Sequence, residues 1–553
     1  MAQRSSTCVE RPTFRAEYVG KVVGTYQAKQ GMHDGDWIRM LKAPAPYAMK
    51  DWLATMLEWI RYPERNSTGI RRSEVWAEDQ TVESDRMKYR CVRRLLPRRT
   101  LIDRGMLQEC EVTTNGDDGT LIYTTLRLSD QEHEQPSEAI LNNLNHSDYP
   151  TSMKEVPYYH PAVRCLAIHY GTNCNGNAEI CVDFVPFTEG ETMEHLSESS
   201  RLGRTALSLL RLAHQHSCGH AESYVKRVVH DVLVPRDAYQ DLYIQLRTRY
   251  ARTLIETWRE VTDPKKHVFE DLGIAAYLML LWKDMFPAPV PDDSHNKTNW
   301  GQPSGGFVDI GCGNGLLVHI LHQEGYAGYG LDLRERKSWL NYRQQGARLD
   351  STSIDAPAIV RGDIHLPANS FLIGNHADEL TPWLPTLASC THQCAGFLNI
   401  PCCAWTLEGT RFTPSQTRFN DEDIAKMLLG SPKLLPPMQP PSPPYTIPHD
   451  PGKLLQYTLW FTKRIVKSAS ENGHSKHMAY YAYIARLHMI AGWCFETEAL
   501  RIPSTKNWAL IGRCKVDIVS DLGLQTRLQQ WSDLKAHAAR LRVIAETLGD
   551  SHD

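Results

Sequence analysis

The chain has 553 residues, of which 42% are hydrophobic and 23% are charged, and its formal net charge is -3. This length and composition predict two or three globular domains with a substantial core. The slightly negative charge excludes a global basic field, so any binding to nucleic acid must rest on local patches.

The N-terminal residues lack the apolar stretch of a signal peptide. The longest apolar run, Ile274–Trp282, is too short to cross a bilayer, so no membrane partner is expected. Fourteen cysteines are scattered without the spacing of a disulfide framework. These features predict reduced thiols in a cytoplasmic or nuclear setting, and we expect the cytoplasm.

Residues 1–150 form a basic and polar region that the sequence defines poorly. Apolar spacing predicts a helix over Met49–Tyr62. The run Arg86–Arg104 is rich in arginine and is interleaved with Tyr89 and Leu95. Such a run is either a solvated face or a row of arginines along a phosphate backbone, and the sequence leaves both interpretations open.

Residues 151–285 predict an accessory domain of mixed strands and helices, so the N-terminal half is expected to be a mostly helical α+β region. A proline-rich linker follows at 286–306, before a domain expected over 307–515. A second proline-rich stretch, 432–451, predicts a surface insertion into that domain. Residues 516–553 are expected to form a C-terminal helix.

The most informative stretch, Phe307–Asp332, reads FVDIGCGNGLLVHILHQEGYAGYGLD. A short strand, a turn with glycine at every second position, a helix and a second strand that ends in Asp332 make up a nucleotide-binding βαβ pattern. Glycine at Gly311, Gly313 and Gly315 lets the backbone approach a ligand closely.

The identity of the nucleotide follows from two positions in this stretch. The dinucleotide fingerprint requires a third glycine or alanine where Leu316 stands. Asp309, two residues before the first glycine, suits a cofactor that carries positive charge and would repel a pyrophosphate. The stretch therefore resembles motif I of class I S-adenosylmethionine-dependent methyltransferases. An ordinary buried βαβ core would leave the two acids and three glycines unexplained.

Further strands are predicted at Ala358–Gly362, Ser370–Gly374, Gly396–Ile400 and Asn507–Gly512. Ligands of open α/β sheets bind outside the carboxyl ends of the strands. This rule gathers polar side chains on one rim of the sheet: Asp309, Asp332, Asp363, Asn375, Asp378 and Cys402.

Several longer strings carry a more specific resemblance: VDIGCGNGLL, GLDLRERKSW, IGNHADELTPW, IPCC, LRIPSTKNW and, upstream, YVKRVVHDVLVP and DPKKHVFEDLGIAAYLMLLW. In this order they resemble the fungal and animal family of tRNA (uracil-2'-O-)-methyltransferases, which modify uridine 44 of serine tRNA. The resemblance covers roughly Arg201 to Gly512 outside the proline-rich insertion. It implies a class I, Rossmann-like α/β fold with a mainly parallel sheet, S-adenosyl-L-methionine as cofactor, and serine tRNA as partner.

The motif and the resemblance together predict the residues that contact the cofactor. Asp363 is expected to bond the adenine amino group, as in the methyltransferase pattern. The expected set is Asp309, Gly311, Gly313, Gly315, Asp332, Asp363 and Asn375.

Catalytic residues are expected in the segment Asn375–Glu379, at the motif IV position. Asp378 is the first candidate for a base or orienting carboxylate, and His376 is the alternative proton acceptor. Lys506 is the candidate cation that lowers the pKa of the ribose hydroxyl. Cys402 is geometrically suited to a rival mechanism, the methylation of a base carbon through a cysteine nucleophile. No metal is expected, because the cysteine and histidine spacing near 390–403 does not match a paired zinc site.

Other functions stay open on the sequence. The enzyme could methylate another RNA site, a protein or a small molecule, or the chain could be a catalytically silent RNA-binding scaffold. The sequence does not decide whether a protein partner is needed.

Overall fold

The computed structural model describes residues 14–24, 37–84, 86–100, 102–127, 140, 144, 148–187, 197–222, 230–288, 300–413 and 476–515. The chain divides into two compact units, Met1–Lys226 and Arg227–Asp553. This division differs from the domain boundaries expected at 150 and 286–306, because strands on both sides of residue 150 belong to one sheet. The proline-rich insertion 432–451, the C-terminal residues 516–553 and most of the expected linker lie outside the described residues.

The first unit is built on an eight-stranded antiparallel sheet with the order β1-β2-β8-β7-β6-β5-β4-β3. The strands are β1 (Glu17–Gly24), β2 (Trp37–Pro44), β3 (Ile70–Glu83), β4 (Arg86–Pro97), β5 (Met106–Asn115), β6 (Asp118–Leu126), β7 (Cys165–Thr172) and β8 (Ala178–Val185). The described part of this unit also contains two helices, α1 (Met49–Arg61) and α2 (Arg201–Ala221), and the short 3-10 helices Pro63–Arg65 and Met153–Glu155.

Both helices of this unit pack on the sheet through apolar stripes. α1 buries Trp52, Met56, Trp59 and Ile60, which recur at helical spacing, in one cluster with side chains from β2, β4–β8 and α2. The helix expected at Met49–Tyr62 is thereby confirmed.

The expectation of a mostly helical N-terminal half is wrong. The longest strands, β3 and β4, carry charged side chains along much of their length, so the sequence lacks the simple apolar alternation that predicts a strand. β6 likewise lies outside the elements that the sequence predicts.

The second unit contains a seven-stranded sheet with the order β11-β10-β9-β12-β13-β15-β14. Its strands are β9 (Phe307–Ile310), β10 (Gly328–Asp332), β11 (Arg348–Ser351), β12 (Phe371–Asn375), β13 (Gly396–Ile400), β14 (Glu496–Ala499) and β15 (Trp508–Gly512). The first five pair in parallel, whereas β15 is antiparallel to both of its neighbours. The expected mainly parallel sheet is therefore present.

Seven helices and one 3-10 helix are described in this unit: α3 (Arg236–Glu256), α4 (Pro264–Met285), α5 (Leu316–Gln323), α6 (Trp339–Gln344), α7 (Ala356–Arg361), the 3-10 helix Asp378–Trp383, α8 (Leu384–Cys390) and α9 (Lys476–Ile490). α4 is buried along most of its length, and Trp282 near its end stacks on Phe307 of β9 at 5.9 Å between ring centroids. Within the described ranges, no helix is both long and apolar enough to cross a membrane.

One predicted strand is wrong. Residues 358–361 belong to α7 and Gly362 caps its end, and the third strand in chain order is β11. The local sequence carries the signals of a short helix: Asp355 caps its start through a 2.9 Å bond from the backbone N–H of Ala358, and Gly362 ends it with a φ of 82°. The apolar residues between these signals fit a strand as well as a helix, so apolarity alone does not separate the two.

Candidate active site

The glycine turn after β9 follows a left-handed path that side chains rarely adopt. Gly311, Gly313 and Gly315 have φ angles of 76°, 55° and 76°. A Cβ at Gly315 would stand 2.7 Å from Leu349, whereas one at Gly313 would meet nothing within 4 Å. Gly315 is therefore needed for packing, and Gly313 leaves its backbone open to a ligand.

Side chains from α6 and the turn itself hold this backbone in place. The indole N–H of Trp339 donates to the Gly313 carbonyl at 2.9 Å, and the Ser338 hydroxyl donates to the Asn314 carbonyl at 2.7 Å. Asn314 Oδ1 accepts from the N–H of Leu316, the first residue of α5, at 2.8 Å. The turn is preorganised by the protein, independent of any ligand.

Asp332 lies at the end of β10, as predicted. Its Oδ2 accepts from the N–H of Gly313 at 2.9 Å, and its Oδ1 accepts from the N–H of Arg334 at 3.1 Å. These bonds fix the carboxylate beside the glycine turn. In this position Asp332 can accept hydrogen bonds from ribose hydroxyls, which is the role expected of it.

Asp309 is 1% exposed, and no hydrogen-bond partner of its Oδ1 is found in the described part of the chain. Burial raises the pKa of this carboxyl well above its ordinary value, and the negative charges of Asp271 and Asp332 raise it further. A buried carboxylate is costly unless a cation or hydrogen bonds compensate it. Three acids close enough to affect one another thus favour a cationic ligand.

Two of the acids at this rim, Glu270 and Asp271 on α4, were not singled out in the sequence. Asp271 Oδ1 accepts from Asn375 Nδ2 at 3.4 Å, and Glu270 Oε1 accepts from His376 Nε2 at 3.1 Å. Both acids are almost fully buried. The available signal was their position inside an apolar helix, because buried acids nearly always have partners.

The pKa values of Asp271 and Glu270 are shifted in opposite directions. Burial raises the pKa of Asp271 to about 7, and the charge of Glu270 adds to this increase. Burial also acts to raise the pKa of Glu270, but hydrogen bonds from His376 and Ser504 more than offset it, so that the pKa is lowered. Glu270 is therefore a charged anchor for the His376 ring, while Asp271 changes its charge near neutral pH.

The loop after β12 is strained at both candidate catalytic residues. His376 has a φ of 56° and Asp378 a φ of 45°, in the left-handed region that costs non-glycine residues on the order of 1 kcal/mol or more. The N–H of His376 donates to the Ile400 carbonyl at 3.1 Å, which ties the loop to β13. Such strain is concentrated at functional sites because the surrounding structure must enforce it.

Asp378 and Lys506 contact different polar side chains. The thiol of Cys402 donates to Asp378 Oδ1 at 3.3 Å. Lys506 Nζ donates to His477 Nε2 of α9, and burial lowers the pKa of Lys506. The carboxylate candidate therefore contacts the first cysteine after β13, and the cation candidate contacts a histidine.

Two thiols at this rim lie close to a carboxylate. Among the described residues, ligand atoms of Asp378, Cys402 and Cys403 lie within 4.8 Å of one another and could hold a metal ion. A structural zinc site uses four protein ligands, and a catalytic one uses three with a water. Cys394, from the other cysteine cluster, instead donates to the carbonyl of Ser370 at 3.4 Å.

Asp363 is an expected cofactor-binding residue that does not lie at the end of a strand. It follows α7 instead of a strand, and its carboxylate pairs with the guanidinium of Arg361 at 2.8 Å. The placement at a strand end, on which its adenine-binding role rested, is therefore wrong.

Two family models match the chain. One, described as a TRM44-like, N-terminal bet v1-like domain, covers residues 16–227, and the other, a predicted AdoMet-dependent methyltransferase, covers residues 233–350. Solved structures of human STARD10 and of the human StarD13 (DLC2) lipid transfer and protein localization domain are 10% and 12% identical, cover 39% and 35% of the chain and reach TM-scores of only 0.21 and 0.17. These scores are too low to support a conclusion.

Curated relatives match over most of their length. The tRNA (uracil-O(2)-)-methyltransferase of Schizosaccharomyces pombe is 36% identical over 502 residues, which cover 86% of this chain and 85% of the relative. That of Neurospora crassa is 31% identical over 90% of this chain and 91% of the relative. That of Yarrowia lipolytica is 31% identical over 77% and 70%. The chain therefore belongs to the tRNA (uracil-O(2)-)-methyltransferase family and is an S-adenosylmethionine-dependent methyltransferase.

Proposed function

We propose that this protein transfers the methyl group of S-adenosylmethionine to the ribose 2'-hydroxyl of a uridine in tRNA, at position 44 of serine tRNA, in the cytoplasm. The observation that carries the proposal is the single rim where the glycine turn, Asp309, Asp332 and the strained segment around Asp378 follow neighbouring strands. The names of the relatives support the acceptor, and the resemblance in the sequence supports its position.

The fold of the second unit is best described as a class I, Rossmann-like methyltransferase fold. Five parallel strands with the first strand in the middle, followed by an antiparallel β15 inserted before β14, support this assignment. In such open sheets the order reverses beside the first strand, and ligands bind in the crevice at that point. The glycine turn after β9 lies there.

The residues at this crevice fit the cofactor, which supplies an electrophilic methyl group on a positively charged sulfur. Asp309 Oδ1 and Asn375 Oδ1 are buried acceptors with no partner in the described part of the chain. They are suited to the donors and positive charge of the amino acid portion. Asp332, fixed by two backbone N–H groups, is suited to the ribose hydroxyls.

The affinity for the cofactor should depend on pH. The pKa of Asp271 is about 7, so below that pH this carboxyl is protonated. A bound cation favours the charged form, so binding should release protons. We expect the Kd for S-adenosylmethionine to fall as pH rises from about 6 to 8, by up to about tenfold per unit for each proton released.

Titration calorimetry in buffers of different ionisation enthalpy would measure the protons released. The control is Asp271→Asn. Any titration of the ligand itself affects this variant and the wild-type protein equally, so the Kd of the variant should depend less on pH. Identical profiles for the two proteins would contradict the assignment.

The catalytic roles rest on the segment around β12. In this proposal Asp378 accepts the proton of the 2'-hydroxyl, and Lys506 stabilises the negative charge that develops on the oxygen. His376 is held by Glu270 and is the alternative acceptor. Alignment of the two reacting atoms at the rim would supply a further large part of the acceleration.

Methylation of a base carbon through a cysteine nucleophile is the rival mechanism, and the environment of Cys402 argues against it. Burial and then the hydrogen bond to Asp378 raise the pKa of this thiol, whereas the reactive form of a cysteine is the thiolate. We expect Cys402→Ser to retain methyl transfer within about threefold of the wild-type rate, because serine preserves the bond to Asp378. Loss of more than about a hundredfold would restore the cysteine mechanism.

The experiment that tests the function combines purified protein, labelled S-adenosylmethionine and unmodified serine tRNA, followed by nucleoside mass spectrometry. A matched transcript with cytidine at position 44 is the control. Label in 2'-O-methyluridine that is absent from the control supports the proposal. Label in a base, another nucleotide or protein would place the activity elsewhere. Cofactor binding without any transfer, even with cell extract added to supply a protein partner, would favour the silent scaffold.

A further inference from the structure

The first unit contains a cavity of about 790 Å³ between its sheet and α2. Its lining is strongly cationic: two carboxylates are outnumbered by six arginines, Arg65, Arg93, Arg98, Arg99, Arg201 and Arg204. The whole chain has a net charge of -3, so this concentration of positive charge is local. A cavity lined in this way attracts a ligand with several negative charges.

The floor of the cavity holds a buried cation whose described partners are neutral. Arg93 is 2% exposed, and its guanidinium donates to the carbonyls of Trp59 and Ile60 and to Gln108 Oε1. In the described part of the unit, no carboxylate bonds to it. Neutral oxygens satisfy the donors of this buried guanidinium, and the Tyr123 ring, 5.0 Å from the guanidinium carbon, compensates its charge only in part. An anionic ligand would supply the missing charge.

A second contact fixes the orientation of this floor. Gln108 Nε2 lies 2.8 Å from His160 Nε2, and His160 Nδ1 lies 2.8 Å from the Pro161 carbonyl. Burial lowers the pKa of His160 to about 4, so the ring is neutral: Nδ1 donates to the carbonyl and Nε2 accepts from the amide. Gln108 must then present its oxygen to Arg93, so the buried guanidinium is held rigidly.

Exposed arginines lie at the mouth of the cavity, and the bonds described for them use only some of their N–H donors. Arg98 Nε donates to the carbonyl of Ile70 at 3.2 Å, and Arg204 donates to the carbonyl of Ser199. A guanidinium has five N–H donors arranged to bind phosphate oxygens in pairs. These neutral backbone contacts orient the two side chains while leaving their charge for a ligand.

An aromatic surface completes the mouth. Tyr158 is 68% exposed, and the guanidinium carbon of Arg201 lies 3.8 Å from the centroid of its ring. Exposed tyrosine and arginine planes are the surfaces on which proteins stack unpaired RNA bases. Phosphate donors beside such a plane are typical of binding to single-stranded RNA.

We propose that this cavity binds the phosphate backbone of an unpaired segment of the tRNA substrate, with one base stacked on Tyr158. The inference rests on the proposed function, because it takes tRNA as the substrate. The proposal also gives different roles to the two halves of the basic run Arg86–Arg104. Lys88 and Arg90 pair with acids of β5, at 3.2 and 2.5 Å, whereas Arg93 and Arg98 line the cavity and bond to neutral oxygens. Arg99 also lines the cavity but pairs with Asp103 at 3.0 Å. Only the second half of the run is assigned to RNA.

The test compares full-length variants for tRNA binding at several salt concentrations. Arg98→Gln with Arg204→Gln removes two charges at the mouth, and Arg86→Gln with Lys88→Gln removes two exposed charges of β4 outside the cavity. We expect the first pair to weaken tRNA binding about 10- to 100-fold and to reduce the salt dependence by about 1 to 2 phosphate contacts. The second pair should behave like the wild type.

Further readouts separate binding from folding and from chemistry. At saturating tRNA, the mouth variant should keep kcat and the affinity for S-adenosylmethionine within about twofold of the wild-type values. Tyr158→Ala should weaken tRNA binding about tenfold without changing the salt dependence, and Tyr158→Trp should restore it. Equal thermal unfolding midpoints would show that the fold is retained.

The outcomes distinguish this inference from the proposed function. If the wild-type protein methylates tRNA but the mouth variant binds it as tightly as the wild type, the cavity inference fails alone. Equal losses in the mouth variant and the β4 control would also overturn it. If the wild-type protein neither binds nor methylates tRNA, the proposed function fails and the cavity inference fails with it.

Discussion

Replacement of Asp309 by asparagine is expected to weaken S-adenosylmethionine binding about 10- to 100-fold. The reason is the loss of a charge-assisted hydrogen bond, worth about 1.5–3 kcal/mol, from a buried acceptor. Oδ1 of this carboxyl has no partner in the described part of the chain, so the ligand is its expected partner. The measurement is the Kd from titration calorimetry, supported by the shift of the unfolding midpoint that the cofactor induces.

The same substitution should leave the free protein folded. Burial already raises the pKa of Asp309 well above its ordinary value, so the folded state holds a proton that the unfolded state releases, and this difference destabilises the folded state as pH rises. A neutral asparagine of the same shape removes that penalty. We therefore expect an equal or higher unfolding midpoint without cofactor at neutral pH.

The control for Asp309→Asn is Asp350→Asn, which removes a partly exposed acid of β11 that pairs with Arg348. It should change cofactor affinity by less than about twofold. Wild-type affinity in Asp309→Asn would contradict the assigned cofactor contact, whatever its effect on stability.

The motif around β9 could be predicted because its signals are local. Alternate glycines, the apolar β9 and the acids Asp309 and Asp332 are all contained in one stretch of the sequence, and the structure has each in the expected element. Where the signal was equally local but ambiguous, the prediction failed. Residues 358–362 are apolar enough for a strand, and only the capping by Asp355 and Gly362 distinguishes a helix.

Other features depend on contacts between distant parts of the chain. Glu270 meets His376 across more than a hundred residues, and no spacing in the sequence predicts that contact. The sheet of the first unit was missed for a related reason. Its strands are stabilised by cross-strand ion pairs such as Lys88 with Glu111, so charged residues lie where apolar alternation would be expected.

Replacement of Asp378 by asparagine is expected to lower kcat for methyl transfer about 10²- to 10⁴-fold while the Kd for S-adenosylmethionine changes less than about threefold. Asparagine is the informative substitution because it tolerates the left-handed backbone, with a φ of 45°, that Asp378 adopts. Its amide oxygen can still accept from the thiol of Cys402. The variant therefore removes the charge and the capacity to take a proton, with little change in the loop.

The neighbouring Glu379→Gln is the matched control, and it should retain kcat within about twofold, since it removes an adjacent acid without altering Asp378. His376→Asn tests the alternative acceptor, and asparagine again suits its φ of 56°. If Asp378→Asn keeps wild-type kcat and His376→Asn loses it, the proton acceptor is His376, oriented by Glu270. Measured kcat at saturating tRNA and cofactor decides between the two, because a merely structural role for either residue would alter cofactor binding or the unfolding midpoint as well.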